Sequence, residues 1–251
     1  MAQSTNQAIT SRFFVPDGLE ELKDEIPKVL EVIARTARWV HPDTFRALPV
    51  WYPETARGIT SYSAAYDRVL LHKKTTEKTE GNILAQKALR NALGATDSNN
   101  WTVCHIWGID DPSFQKTNDI VQDRRYYSCI GNMVWLPTPL KGFTDAVPEI
   151  KLALRTCAYY LYRWLPDHGD SEMARQVALI KSGTIPIGYP ESWPTAARST
   201  LPLNTAPYSF PVQEKVRKRK EELLALLNSS AHEHFPRDAV REVLAFWNVA
   251  L

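Results

Sequence analysis

The sequence has few cysteines, no long apolar run and no strong excess of charge of either sign. Three of its 251 residues are cysteines, and no two of them form a C-x-x-C pair. This pattern supports neither a disulfide framework nor a structural zinc site. No apolar stretch approaches the length of a membrane-spanning helix, and the first ten residues form no apolar signal sequence. We therefore expect a cytoplasmic protein with no membrane partner.

Charge and composition are those of an ordinary globular chain that is long enough to bury a substantial core. Hydrophobic residues make up 44% of the sequence, charged residues 23%, and the formal net charge is +2. With charge so nearly balanced, a surface for nucleic acid would have to be local. Phosphate-loop, dinucleotide-binding, zinc-protease and nucleophile-elbow motifs are all missing from the sequence.

Apolar periodicity and helix-breaking residues divide the sequence into four regions. Residues 1–12 are predicted to be a disordered tail, and residues 13–98 a helical N-terminal region. Residues 99–170 contain a small β-hairpin followed by a helix. Residues 171–251 form C-terminal helices with a proline-rich wrapping loop at 184–211. The predicted fold class is α+β, mostly helical, with the hairpin embedded at the centre of a helical scaffold.

Two short apolar runs and the helix after them carry the most chemical information. His105 follows the first run, and Asn132 precedes the second. A helical pattern then extends from Asp145 to Leu165, with Asp145 placed to cap its first amides. Histidine is suited to general base catalysis because its pKa lies near neutral pH. The order strand, histidine, loop, asparagine, strand, helix is suited to holding an imidazole beside a metal-bound phosphodiester.

This pattern resembles the HNH branch of the His-Me finger nucleases, whose fold is the ββα-metal finger. The resemblance covers about a quarter of the chain. It implies that His105 is the general base that activates water and that Asn132 fixes the intervening loop by hydrogen bonds. It also implies a Mg²⁺ or Mn²⁺ ion, rather than Zn²⁺, held by Asp145 alone or with Asp110 or Asp111. One or two carboxylates are enough for magnesium when phosphate and water complete its shell.

Two positions depart from the family pattern. Cys104 stands before His105, where an acidic residue or histidine is common, and Lys141 falls near a position that is commonly histidine. The sequence therefore leaves two hypotheses open: a metal-dependent endonuclease, and a catalytically inactive HNH-like protein that binds nucleic acid or protein. A cysteine-nucleophile enzyme is a third class. It would have to pair Cys129 with His105, because Cys104 points to the opposite face of the strand.

Clusters of basic residues mark the segments that we expect to contact nucleic acid, with DNA as the expected form. The predicted contacts are Arg124, Arg125, Lys141, Lys215, Lys218 and Arg219. A second cluster around a predicted helix at residues 79–93 contains Lys73, Lys74, Lys78, Lys87 and Arg90. Glutamates beside Lys215 and Lys218 compensate part of their charge, so a solvated helix face is the alternative for that segment.

Overall fold

The computed structural model describes residues 15, 17–59, 80–108, 111, 114, 119–167, 171–230 and 234–251. Three sequence predictions lie outside these residues: the tail at 1–12, the predicted metal ligand Asp110, and the lysines at 73, 74 and 78. Within the described residues the chain is α+β and mostly helical, as the sequence predicts.

The α-helices, numbered in chain order, differ widely in length. They are α1 (Gly18–Glu21), α2 (Ile26–Thr36), α3 (Pro42–Ala47), α4 (Ile83–Ala92), α5 (Arg124–Tyr127), α6 (Lys141–Ala146), α7 (Pro148–Tyr162), α8 (Ser171–Lys181), α9 (Phe210–Asn228) and α10 (Arg237–Phe246). Proline occupies the first turn of α2, α3, α7 and α9, where its missing N–H costs no helical hydrogen bond. None of the helices in these described ranges has the length and apolarity that crossing a bilayer requires.

The described residues contain one sheet, an antiparallel pair of strands. Strand β1 (Trp101–His105) pairs with β2 (Met133–Pro137), so that His105 lies opposite Met133. The outer edge of β2 is extended by Arg38, whose backbone exchanges two hydrogen bonds with Trp135. The hairpin is therefore attached to the end of α2 and is followed along the chain by α6 and α7.

The helical segment predicted from Asp145 to Leu165 is two helices. Val147 has an extended backbone, at φ −112° and ψ 105°, because the following Pro148 disfavours the helical conformation before it. Helix α7 therefore begins at Pro148 and ends at Tyr162. The prediction that Asp145 caps the long helix is wrong, since Asp145 lies in the last turn of the preceding α6.

The core surrounds α7, which is buried along most of its length and packs against α2, α3, α6 and α8. The proline-rich segment at 184–211 has no helix before Phe210 and is nevertheless packed onto this core. Its Trp193 is fully buried and lies edge-on to Trp39 and Tyr189, with ring centroids 5.9 and 5.5 Å apart. These contacts order the segment without regular secondary structure.

Candidate functional site

His105 ends β1 with its ring mostly buried, at 7% exposure. Its Nε2 lies 2.8 Å from the backbone oxygen of Tyr127. Because a carbonyl oxygen only accepts, Nε2 carries the hydrogen and the neutral ring has an unprotonated Nδ1. Burial lowers the pKa of His105 to about 4, against the opposing effect of that hydrogen bond. The site therefore holds an oriented, uncharged imidazole at neutral pH.

Asn132 joins the chain after β1 to the chain before β2. Its side chain is fully buried and accepts a hydrogen bond from the Trp107 N–H at 2.8 Å. Its amide nitrogen donates to the backbone oxygens of Trp107 and Tyr126, both at 3.2 Å. Such bonds to buried backbone groups fix a loop because leaving those groups unpaired is costly. A bracing contact of this kind is what the resemblance implies for Asn132.

A small cleft of about 50 Å³ lies beside the ring of His105. Helix α6 supplies Lys141 and Asp145, and α7 supplies Lys151. The lining residues are Arg57, Asn82, Val103, His105, Gly108, Lys141, Asp145 and Lys151. His105 and Asp145 thus border one space, as a shared site would require, and Lys141 borders it as well.

The charges that line this cleft are mostly positive. Lys151 is 2% exposed, and its Nζ donates to the backbone oxygen of His105 at 2.6 Å. Among the described residues, that ammonium group forms no ion pair with a carboxylate. Arg57 donates to the side-chain oxygen of Asn82 at 3.2 Å. Asp145, the one carboxylate that the described part of the chain places on this cleft, forms an ion pair with Lys141.

These residues do not fit a resident divalent cation. Among the described residues that line the cleft, Asp145 is the only carboxylate, and it already pairs with Lys141. Arg57 and Lys151 would repel a metal ion placed beside it. The thiol of Cys104 is buried next to Thr144, 3.3 Å from its hydroxyl. Within the described ranges, no three His, Cys, Asp or Glu side chains are grouped to hold a metal.

Two of the predicted nucleic-acid contacts, Arg124 and Arg125, lie away from His105. They border a different cleft, of about 380 Å³, which α5 forms with α10. Arg125 forms an ion pair with Asp123, and its guanidinium lies 5.1 Å from the ring centroid of Phe246. The structure therefore does not bring these arginines together with the imidazole.

The predicted contacts on α9 have different environments. Lys218 is exposed and Lys215 is half-buried, whereas Arg219 is 4% exposed. Arg219 donates to both carboxylate oxygens of Glu54, at 2.6 and 2.8 Å, and to the backbone oxygen of Trp51 at 2.6 Å. Its charge and hydrogen bonds are used inside the protein. The prediction that Arg219 contacts nucleic acid is therefore replaced by a structural role.

The thiol of Cys129 is also enclosed. The residue is fully buried, and burial raises the pKa of its thiol to about 12. The nucleophilic form of cysteine is the thiolate, so this side chain is unreactive near neutral pH. The pairing of Cys129 with His105 as a nucleophile and base therefore has no support from the structure.

Sequence reasoning missed Arg57 and Lys151, which carry two of the three positive charges on the cleft. The sequence does contain an indication for Lys151, because it and Arg155 lie one turn apart on a helix whose other faces are largely apolar. In the structure both side chains are buried. For Arg57 there is no such indication, since it comes from an irregular segment far from His105 in sequence. No protein-family model, curated protein or solved structure matches this chain.

Proposed function

We propose that this chain binds nucleic acid, with a backbone phosphate held in the cleft beside His105. The observation that carries the proposal is the ammonium group of Lys151, which is buried on the cleft and forms no ion pair with a carboxylate of the described residues. Arg57 adds a second cation on the cleft that forms no ion pair with a described carboxylate. A buried charge needs a partner of opposite sign, and a phosphate oxygen is an acceptor that both side chains bind well.

In this proposal, the hairpin region is an HNH-like finger that keeps the order of its strands and helices but has no set of metal ligands among the described residues. Strand β1 ends in His105, β2 follows the braced Asn132, and α6 and α7 come next in the chain. The basic cleft occupies the place beside the imidazole where the resemblance implies a metal-bound phosphate. Lys151 and Arg57 then neutralise the negative charge of the phosphate, which a metal ion would otherwise do.

A binding experiment with one buried lysine tests this function. Fluorescence anisotropy of a fluorescein-labelled oligonucleotide is measured with the intact chain and with Lys151→Met, which removes the ammonium group and keeps an unbranched side chain one atom shorter. We expect the variant to bind roughly tenfold more weakly, because it loses one charged phosphate contact. The control, Lys181→Met, removes an exposed lysine of α8 that lines no described cleft and leaves affinity unchanged. Equal affinities of the intact chain and Lys151→Met would refute the proposal.

Cleavage of the bound strand is a second candidate function, in which a divalent cation would enter with the phosphate because the described residues do not fit a resident one. It is supported by the uncharged, oriented ring of His105 and by the presence of Asp145 on the same cleft. A pKa near 4 keeps the imidazole free to accept a proton but makes it a weaker base than one near 7. The test is cleavage of a labelled oligonucleotide in Mg²⁺ or Mn²⁺ by the intact chain and by His105→Ala. Cleavage that survives unchanged in His105→Ala, or no cleavage by either, excludes this candidate.

A further inference from the structure

A wider groove continues from the His105 cleft along α4 and β1. It has a volume of about 550 Å³ and shares Asn82 and Val103 with that cleft, so the two spaces adjoin. Lys87 and Arg90 of α4 line one side, and Trp101 of β1 lies on the other. These are the two described members of the basic cluster that the sequence predicts around this helix.

Trp101 stands between this groove and a third space. A cleft of about 510 Å³ also borders Trp101 and is lined by Arg38 and Trp135. Trp101 is half-buried, with its ring centroid 5.2 Å from that of Trp135 and 4.9 Å from the guanidinium carbon of Arg38. Flat aromatic and guanidinium groups of this kind are surfaces on which unpaired bases stack.

We define these three neighbouring spaces together as the α4–β1 groove, because the second shares Asn82 and Val103 with the first and Trp101 with the third. Its cationic residues are Arg38, Arg57, Lys87, Arg90, Lys141 and Lys151. Its carboxylates are Asp97 and Asp145. Among the described residues, six cations against two carboxylates give the groove lining a net charge of +4, whereas the whole chain carries +2. Positive charge is therefore concentrated along this path.

The exposed edge of β1 is closed to an added peptide strand. Gln86 accepts a hydrogen bond from the Val103 N–H at 2.8 Å and donates to the Trp101 carbonyl at 3.3 Å. Strand addition requires these backbone groups to be free. The groove thus presents positive charge and aromatic side chains to a ligand, but no free strand edge with which an extended peptide could pair.

We infer that the α4–β1 groove binds single-stranded nucleic acid, with one phosphate beside His105 and an unpaired base against Trp101. This inference rests on the proposed function and adds the class of nucleic acid. The His105 cleft has a volume of about 50 Å³, which is too small for a base but has room for a group of one or two water volumes, such as a phosphate's oxygens. The larger spaces next to it accept bases, and bases are free to enter them only when they are unpaired.

The test compares single-stranded and duplex probes on the full chain. Anisotropy is measured with fluorescein-labelled oligothymidine of about 12 nucleotides, within the usual span of single-strand sites, and with a duplex of the same length. We expect the single strand to bind at least about tenfold more tightly. Trp101→Leu should lower single-strand affinity about tenfold, since stacking on a base is lost. Lys87→Glu should lower it several-fold, while the matched control Lys181→Glu leaves it unchanged.

The outcomes separate this inference from the function on which it rests. If Lys151→Met weakens binding but Lys87→Glu and Trp101→Leu do not, the phosphate site stands and the groove is refuted. Equal affinity for duplex and single strand refutes the preference for an unpaired strand. No binding to either probe refutes the proposed function itself. Circular dichroism verifies that each variant is folded. If Trp101→Leu does not fold, Lys87→Glu still decides the test, because Lys87 is exposed.

Discussion

The uncharged state of His105 follows from its surroundings. Burial removes water from the ring, and the ammonium of Lys151 and the guanidinium of Arg57 further disfavour a positive charge there. The hydrogen bond to the Tyr127 carbonyl acts in the opposite direction but is outweighed. The two cations on which the proposed phosphate site depends thus also help to keep the imidazole neutral.

Stability should therefore depend on pH through His105. The unfolded chain has an ordinary histidine pKa near 6.5 and the folded chain about 4, so the unfolded state binds more protons between these values. The contribution is fully present above pH 6.5 and is lost as pH falls toward 4. Between about pH 7 and pH 5, His105 alone should lower the free energy of unfolding by about 2 kcal/mol.

The measurement compares the intact chain with His105→Gln by urea denaturation at both pH values. Glutamine does not titrate, and its side-chain amide can still donate to the Tyr127 carbonyl. We expect the intact chain to lose about 2 kcal/mol more than the variant over this interval. Equal losses would mean that the ring is already protonated in the folded protein or is accessible to water.

Among the elements, those set by local sequence were predicted best. The two apolar runs form β1 and β2. The predicted helices at residues 79–93 and beyond Asp145 correspond to α4 and α7. Pro148 shows why one helix boundary was misplaced. Proline favours the start of a helix and disfavours helical backbone in the residue before it, and this effect outweighs a possible cap by Asp145, three positions earlier in α6.

Contacts between distant elements could not be predicted from the sequence. Arg219 on α9 and Glu54 are 165 positions apart, and their ion pair forms because the two segments pack together. In the sequence, Arg219 lies among exposed lysines and glutamates and resembles a solvated helix residue. Likewise, Lys151 and Arg57 lie near His105 because their segments pack together. Sequence spacing therefore indicated His105 as a candidate site residue but not the charged residues around it.

Arg219 and Lys218 should differ sharply in their effect on stability. Arg219→Ala leaves the buried carboxylate of Glu54 without its cation and should cost about 3–5 kcal/mol of unfolding free energy. Lys218→Ala, at the adjacent exposed position, should change it by less than about 0.5 kcal/mol. Urea denaturation of both variants measures this difference. Similar small effects for the two would show that the Glu54–Arg219 pair does not hold α9 to the core.

For the molecule as a whole, the distribution of charge matters more than its sum. A net charge of +2 gives little long-range attraction for a polyanion. The described residues that line the α4–β1 groove carry +4, so all other residues of the chain together carry a slight negative excess. A polyanion bound to this protein should therefore respond to salt through a few local contacts.

The salt dependence of binding should count those contacts. For a single strand, the logarithm of the association constant falls with the logarithm of salt concentration by about 0.7 per neutralised phosphate, so four contacts give a slope of about −3. Anisotropy with oligothymidine from about 50 to 200 mM NaCl measures this slope for the intact chain. Lys87→Glu should make it shallower by roughly 0.7 or more, while Lys181→Glu should not change it. A slope near zero, or equal changes in the two variants, would show that the groove does not contact the phosphates.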